Sequence, residues 1–165
     1  MQTQDKDQNS VLSNWSLDRE VVLSLVINAP RELVFAAWAD PQQIQKWFGP
    51  SGIEIESQEI DISVGKRWRF DMVAPDGTRY KNRMLFRRIE KPSYIEFDHG
   101  DDLDVDPGKF RMTVTFDQQS DGKTVITMRQ LHPTKEQREA VIGFGGVEYG
   151  YQTLGKLAKH VESIK

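Results

Sequence analysis

The stretch that decides the fold is Asn28 to Pro50, NAPRELVFAAWADPQQIQKWFGP. A proline at position 30 suits the first turn of a helix, where its missing N–H costs nothing. Apolar residues then recur at three- and four-residue spacing up to Trp38. Asp40-Pro41 is a second helix-start signal, with an N-cap carboxylate followed by proline. Gly49-Pro50 ends the helical run that follows it. The pattern predicts two short capped helices, the first over 30–39.

Strand signals flank these helices. The β-branched run REVVLSLVI at 19–27 predicts a first strand. After Gly65 the run KRWRFDMVA alternates, which predicts a strand with one apolar face. The following APDGT at 74–78 has the chemistry of a type I turn with glycine in a left-handed bulge position. Pairing Ala74 with Thr78 predicts a hairpin face with three opposed pairs, which are Trp68 with Met84, Phe70 with Asn82, and Met72 with Tyr80.

A second hairpin is predicted further along the chain. KFRMTVTF and TVITMRQL flank a Ser-Asp-Gly turn within 118–123. Pairing Phe116 with Val125 sets Met112 opposite Arg129, on one strand face with Val114, and a register shifted by one residue stays open. A guanidinium on that face could anchor a carboxylate or phosphate head group. The alternative is a rim arginine whose stem covers apolar surface while its head reaches water.

The C-terminal region is helical. Thr134 with Gln137 forms a capping-box pattern, which predicts a short helix over about 134–142. From Val147 an apolar stripe that includes Tyr151 and Leu154 keeps helical period for about five turns, which predicts a long amphipathic helix over 147–164. The expected fold is α+β, with a curved antiparallel sheet of about six or seven strands. We expect a disordered tail over 1–17 and a single domain over 18–165.

Composition excludes several function classes. The chain has 165 residues and a net charge of −3, so it offers no basic field for nucleic acid. It contains no run of about 18 apolar residues, so membrane insertion is not expected. The absence of cysteine rules out disulfides and thiolate chemistry. These features together predict a cytoplasmic protein.

The sequence indicates neither a cofactor nor a metal. The acidic run over 98–106 fails the calcium-loop pattern, because Pro107 stands where that loop needs glycine, and a solvated acidic loop is expected. GFGG at 143–146 is neither a nucleotide fingerprint nor a P-loop. Acid–base catalysis would need a titratable pair, for which His99 with Asp98 or Glu96 is the candidate.

The residues together resemble the START-like, or Bet v 1-like (SRPBCC), superfamily. Within it they are similar to the branch named after the activator of heat shock protein 90 ATPase. The carriers of the resemblance are Ala29-Pro30, Asp40-Pro41, Lys46 to Pro50, Trp68 to Phe70, the Pro75-Asp76-Gly77 turn and the closing helix, and they span about residues 19 to 164. The resemblance implies a helix-grip fold with a cavity between sheet and C-terminal helix.

We therefore expect a domain that binds a small hydrophobic or amphipathic molecule in that cavity. The candidate ligand-binding residues are Trp68, Phe70, Met72, Tyr80, Asn82, Met84, Met112, Arg129, Tyr151 and Leu154. Ordinary core packing is the competing interpretation for the apolar members of this set, and a bond to a local backbone group is the competing one for the polar members. Two other functions stay open, namely a protein-interaction module similar to a chaperone ATPase activator and an enzyme similar to a polyketide cyclase or dehydratase.

Overall fold

The computed structural model describes residues 17–165, so the predicted tail falls outside the described residues except at its last position. Within these residues a 3-10 turn, Leu17–Arg19, precedes seven strands and four α-helices. The strands are β1 Glu20–Ile27, β2 Glu54–Ile60, β3 Arg67–Val73, β4 Arg79–Glu90, β5 Tyr94–Asp101, β6 Phe110–Gln118 and β7 Thr124–Leu131. The helices are α1 Arg31–Ala39, α2 Pro41–Trp47, α3 Lys135–Gly143 and α4 Gly146–Ile164.

The seven strands form one sheet in the order β1-β7-β6-β5-β4-β3-β2. Every neighbouring pair is antiparallel. The connection between β1 and β2 carries α1 and α2, so these helices cover one face of the sheet together with α4. This arrangement confirms the predicted α+β helix-grip fold.

The helices begin where their capping residues stand. The Asp40 side chain accepts a hydrogen bond of 2.9 Å from the Gln42 amide at the start of α2. The Thr134 hydroxyl accepts one of 3.1 Å from the Gln137 amide at the start of α3. No helix within residues 17–165 is long and apolar enough to cross a membrane.

Helix α4 lies against β1 through a glycine. A Cβ at Gly150 would stand 2.3 Å from Leu23 Cδ1, so the absence of a side chain permits this close approach. Leu154, Leu157 and Val161 on the same helix are completely buried. Tyr151 was expected on the buried stripe, and that expectation is wrong, because its side chain is 44% exposed at the edge of the stripe.

The two hairpins test the predicted registers. The first is confirmed, since Trp68 pairs with Met84, Phe70 with Asn82, and Met72 with Tyr80. The second is wrong by one residue, because Phe116 pairs with Ile126 rather than with Val125. The reason is the turn: Gln119 donates its amide to the Lys123 carbonyl at 2.7 Å, with Gly122 in the left-handed region at φ 85°. The Ser120-Asp121-Gly122 turn therefore repeats the geometry of the first turn.

Charged residues cluster on the other side of the sheet and in the loop after β5. Asp102 receives hydrogen bonds from Arg69 at 2.9 Å and from Arg83 at 2.8 Å. The side chains of Asp102 and Asp98 are each only 9% exposed, and Asp98 is paired with Arg87 and Arg111. The expectation of a fully solvated acidic run is therefore wrong at these two positions, because the arginines of β3, β4 and β6 cover the carboxylates.

Replacing Asp102 tests how far these ion pairs stabilise the fold. The hydrogen bond from Arg69, with a further one from Arg83, lowers the pKa of Asp102 to about 2 from 3.8. A depressed carboxylate pKa stabilises the folded state above pH 4, and this contribution is lost as the pH falls toward 2. We expect Asp102→Asn to lower the free energy of unfolding by about 1–2 kcal/mol at pH 7, since both arginines keep some contact with solvent.

Urea denaturation at pH 7 and pH 3 measures this effect. Asp104→Asn is the matched control, because Asp104 bonds the same Arg83 from a side chain that is 92% exposed. The control should change stability by less than about 0.5 kcal/mol. Equal losses in the two variants, or a difference that does not shrink at low pH, would contradict the assignment.

Candidate functional site

Aromatic rings fill one end of the space between the helices and the sheet. The Trp68 and Phe70 rings stack at a centroid distance of 3.9 Å. The Phe48 ring, just after α2, meets Trp68 edge-on at 5.4 Å and Phe70 at 5.8 Å. Trp38 and Trp47 pack edge-to-face behind it at 5.1 Å. This end of the interior is solid core.

Beside this packed end lies a cavity of about 250 Å³ between the sheet, α3 and α4. Its walls are aromatic, aliphatic and sulfur-containing, and five of the side chains carry a polar but uncharged group. The lining residues are Phe48, Gly49, Pro50, Met72, His99, Phe110, Met112, Met128, Gln130, His132, Val141, Phe144, Gly146, Tyr149, Gly150 and Thr153. No aspartate, glutamate, lysine or arginine belongs to this lining.

The cavity has an exposed aromatic edge where α3 meets α4. Phe144 is 64% exposed and Tyr149 is 45% exposed. Their ring centroids are 6.3 Å apart. Gly145 between the two helices has φ 99°, a left-handed conformation that suits glycine, and it sets the turn that brings these rings together. Two aromatic side chains that remain in solvent thus border an apolar cavity.

Two of the ten sequence-predicted residues line this cavity, namely Met72 and Met112. Four others are completely buried in the core outside the lining: Trp68, Phe70, Met84 and Leu154. Tyr80 and Tyr151 are exposed side chains that also lie outside it. Asn82 stands behind the wall and bonds His99.

Arg129 does not face the cavity. In the observed register Arg129 pairs with Thr113 rather than with Met112. Its side chain is 47% exposed, and its Nε lies 3.8 Å from the carboxylate of Glu20. The prediction that it shares a face with Met112 and Val114 is wrong, because the one-residue shift of β7 moves it to the opposite side of the sheet.

His99 is one of two buried titratable groups of the cavity wall. Its Nε2 lies 2.9 Å from Asn82 Oδ1, while Asn82 Nδ2 donates to the Tyr80 carbonyl at 2.8 Å. Since the amide group is thereby oriented with its oxygen toward the ring, Nε2 carries the hydrogen. Burial lowers the pKa of His99 to about 4, against a smaller opposing effect of the Asp106 carboxylate. The ring is therefore neutral at pH 7.

His132 stands at the end of β7 in the same lining and is held in the same tautomer. Its Nε2 donates to Gln130 Oε1 at 3.1 Å, and its Nδ1 accepts from Gln137 Nε2 at 3.4 Å. Burial, with a contribution from Arg138, lowers the pKa of His132. The Phe110 ring contacts both imidazoles, with centroid distances of 5.2 Å to His99 and 4.9 Å to His132.

The predicted acid–base pair does not form. Asp98 is bonded to Arg87 and Arg111, and Glu96 accepts from Arg111 at 3.0 Å. Since residues 98 and 99 alternate across the strand, the carboxylate of Asp98 and the ring of His99 lie on opposite faces of β5. Within residues 17–165 no group of three or more histidine, aspartate or glutamate side chains is arranged to hold a metal ion.

Most of the cavity wall that β6 and β7 form was not predicted from the sequence. Phe110, Met128, Gln130 and His132 all line the cavity, and none was selected. The turn contained the missing signal, because Ser120-Asp121-Gly122 has the same pattern as Pro75-Asp76-Gly77. Applying the offset of the first hairpin to the second would have turned Met128 and Gln130 inward and Arg129 outward.

The protonation of His99 can be measured directly. We expect its imidazole to titrate near pH 4, because charging the ring inside an aromatic wall is unfavourable. The unfolded chain takes up this proton near pH 6.5, so folding stability should fall as the pH drops from 6.5 toward 4. Long-range ¹H–¹⁵N NMR of the folded protein, with the urea-unfolded chain as control, gives both values. A folded-state midpoint near 6.5 would contradict the burial of this ring.

Several solved structures share this fold. A protein from Arthrobacter aurescens superposes with a TM-score of 0.81 at 24% identity, covering 88% of this chain and 87% of that one. A protein from Nitrosomonas europaea gives 0.80 at 20% identity, covering 91% and 98%. The AHSA1 protein from Silicibacter pomeroyi gives 0.72 at 21% identity, covering 88% and 99%. At these identities the likeness establishes the fold alone.

Sequence comparison establishes the family. The search among curated proteins gives no significant match. The profile of the family described as activator of Hsp90 ATPase homolog 1-like protein matches residues 28–162, which include α1, all strands from β2 onward and nearly all of α4. The chain therefore belongs to the activator of Hsp90 ATPase homolog 1-like family, within the START-like superfamily.

Proposed function

We propose that this protein binds a small, uncharged, largely apolar molecule in the cavity between its sheet, α3 and α4. The observation that carries the proposal is the lining, which combines phenylalanine and methionine side chains with no charged group. Concave sites with apolar walls and a few polar groups are the usual form of small-molecule sites. Three methionines, Met72, Met112 and Met128, supply flexible and polarisable walls that adapt to a ligand's shape.

The charge of the ligand follows from the same walls. A carboxylate or phosphate moved from water into this cavity would lose its hydration and meet no cation, which is strongly unfavourable. Arg129, the cation expected to hold an anionic head, lies on the other side of the sheet. The two histidines of the lining are neutral at pH 7. Of the hydrophobic and amphipathic ligands expected from the sequence, we therefore propose those without a charged head group.

The size of the ligand follows from the volume. A cavity of about 250 Å³ exceeds the roughly 150 Å³ apolar cavity that binds benzene. It is smaller than most pockets for drug-sized molecules, which begin near 300 Å³. A molecule of one or two fused rings, or a short branched chain of similar bulk, matches this volume.

Ligand binding is favoured over the enzymatic alternative by one observation. Both carboxylates proposed to work with His99 are engaged by arginines away from the cavity. His99 instead bonds an amide, which cannot exchange a proton with it near neutral pH. The lining therefore holds no acid–base pair.

Filling the cavity tests the proposal. Met72 lines the cavity and is partly buried, so Met72→Trp should place the larger ring in the empty space and leave the fold intact. We expect the fluorescent neutral probe 2-methoxynaphthalene, which has two fused rings, to bind the unmodified protein at one saturable site. Its affinity should fall at least about tenfold in Met72→Trp, because the indole occupies the ligand's volume.

Val22→Trp is the matched control. Val22 lies on the exposed face of β1, outside the cavity. This variant should bind the probe as the unmodified protein does, and both variants should keep their melting temperatures within about 5 °C. Absence of saturable binding, or unchanged binding in a folded Met72→Trp, would contradict the proposal.

A further inference from the structure

The polar side chains of the cavity wall differ in which of their donors and acceptors already have a hydrogen-bond partner within the protein. Thr153 donates its hydroxyl to the Tyr149 carbonyl at 3.0 Å. His132 is bonded at both ring nitrogens. Gln130 offers its oxygen to His132, so that oxygen is already an acceptor in use. Thr153, His132 and the Gln130 oxygen are therefore committed to the protein's own hydrogen bonds.

His99 is different, because one of its nitrogens has no partner. The bond from Nε2 to Asn82 Oδ1 fixes the hydrogen on Nε2, which leaves a lone pair on Nδ1. No residue within 17–165 donates a hydrogen bond to Nδ1, although the side chain is only 9% exposed. Nδ1 is not fully buried, so its lone pair is open to a donor from outside the protein.

The surroundings of His99 keep this lone pair available. Phe48, Phe70, Phe97 and Phe110 contact the ring at centroid distances of 5.2 to 6.4 Å. None of these side chains can donate a conventional hydrogen bond or a proton. Asn82 in turn is held by the Tyr80 carbonyl, so the ring cannot gain the other tautomer without breaking that chain of bonds.

We infer that His99 is the specificity-determining residue of the cavity, and that its Nδ1 accepts a hydrogen bond from a hydroxyl group on an otherwise apolar ligand. The inference rests on the proposed function, since it names the chemical class of molecule that the same cavity takes. The ligand class is an uncharged alcohol or phenol of one or two rings. The hydroxyl supplies a donor for Nδ1, and the rest of the molecule contacts the methionines.

Three naphthalenes separate the relevant properties at nearly constant shape. At pH 7, 2-naphthol is neutral and has a donor, 2-methoxynaphthalene is neutral and has none, and 2-naphthoate is an anion. Isothermal titration calorimetry should give an affinity for 2-naphthol about tenfold above that for 2-methoxynaphthalene. The affinity for 2-naphthoate should be at least about 100-fold below that for 2-naphthol, because its charge meets no cation.

His99→Phe removes the nitrogen and keeps a ring among the surrounding phenylalanines. In this variant 2-naphthol and 2-methoxynaphthalene should bind with equal affinity. Arg129→Gln should leave all three affinities unchanged, since Arg129 lies across the sheet. In the unmodified protein the ¹⁵N resonance of Nδ1 should move upfield when 2-naphthol binds and stay in place with 2-methoxynaphthalene, a readout that does not depend on the variant's folding.

The outcomes distinguish the two levels of the proposal. If neither neutral naphthalene binds, the proposed function itself is contradicted. If both bind equally and the Nδ1 resonance does not respond to 2-naphthol, the cavity binds apolar molecules but the role of His99 is overturned. Tighter binding of 2-naphthoate than of 2-naphthol would overturn the uncharged ligand class.

Discussion

The contact on which the interior depends is the packing of the Phe48 ring against the sheet. Phe48 follows the last residue of α2 and meets Trp38, Trp47, Trp68 and Phe70 edge-to-face, at centroid distances between 5.4 and 6.0 Å. Edge-to-face aromatic pairs add about 0.5–1.5 kcal/mol each beyond the area they bury. Gly49 follows at φ 97°, a turn that lets the ring point inward while the chain leaves the helix. The same ring belongs to the cavity wall, so one side chain separates packed core from open space.

The two sides of the sheet also differ in charge. The arginines of β3, β4 and β6 pair with aspartates and glutamates on the outer side of the sheet. The inner side holds aromatic rings, methionines and two histidines that amide oxygens keep in a single neutral tautomer. A site built this way has little electrostatic attraction to offer and must select by shape, apolar contact and a small number of hydrogen bonds.

Sequence reasoning succeeded where local chemistry determined the structure. The caps at Asp40 and Thr134, and the Pro75-Asp76-Gly77 turn, each act over a few residues, and the elements they predicted are present. The site was harder to predict, because strand pairing joins residues that are far apart in the sequence. A register shift of one residue moves every side chain of β7 to the opposite face of the sheet. The sequence pattern could not identify Trp68 and Phe70 as packed core. An alternating aromatic strand face looks the same in the sequence whether other side chains fill the space above it or a cavity lies there.

The central claim is that the cavity binds a small uncharged molecule. The methionines allow one experiment to test it. Met72, Met112 and Met128 line the cavity, whereas Met84 is completely buried in the packed core nearby. In protein labelled with ¹³C at the methionine methyl groups, titration with 2-naphthol should shift the Met72, Met112 and Met128 resonances along saturation curves with one common Kd. The Met84 resonance should move much less. Unchanged methyl resonances at saturating probe, or shifts dominated by Met84, would contradict the account.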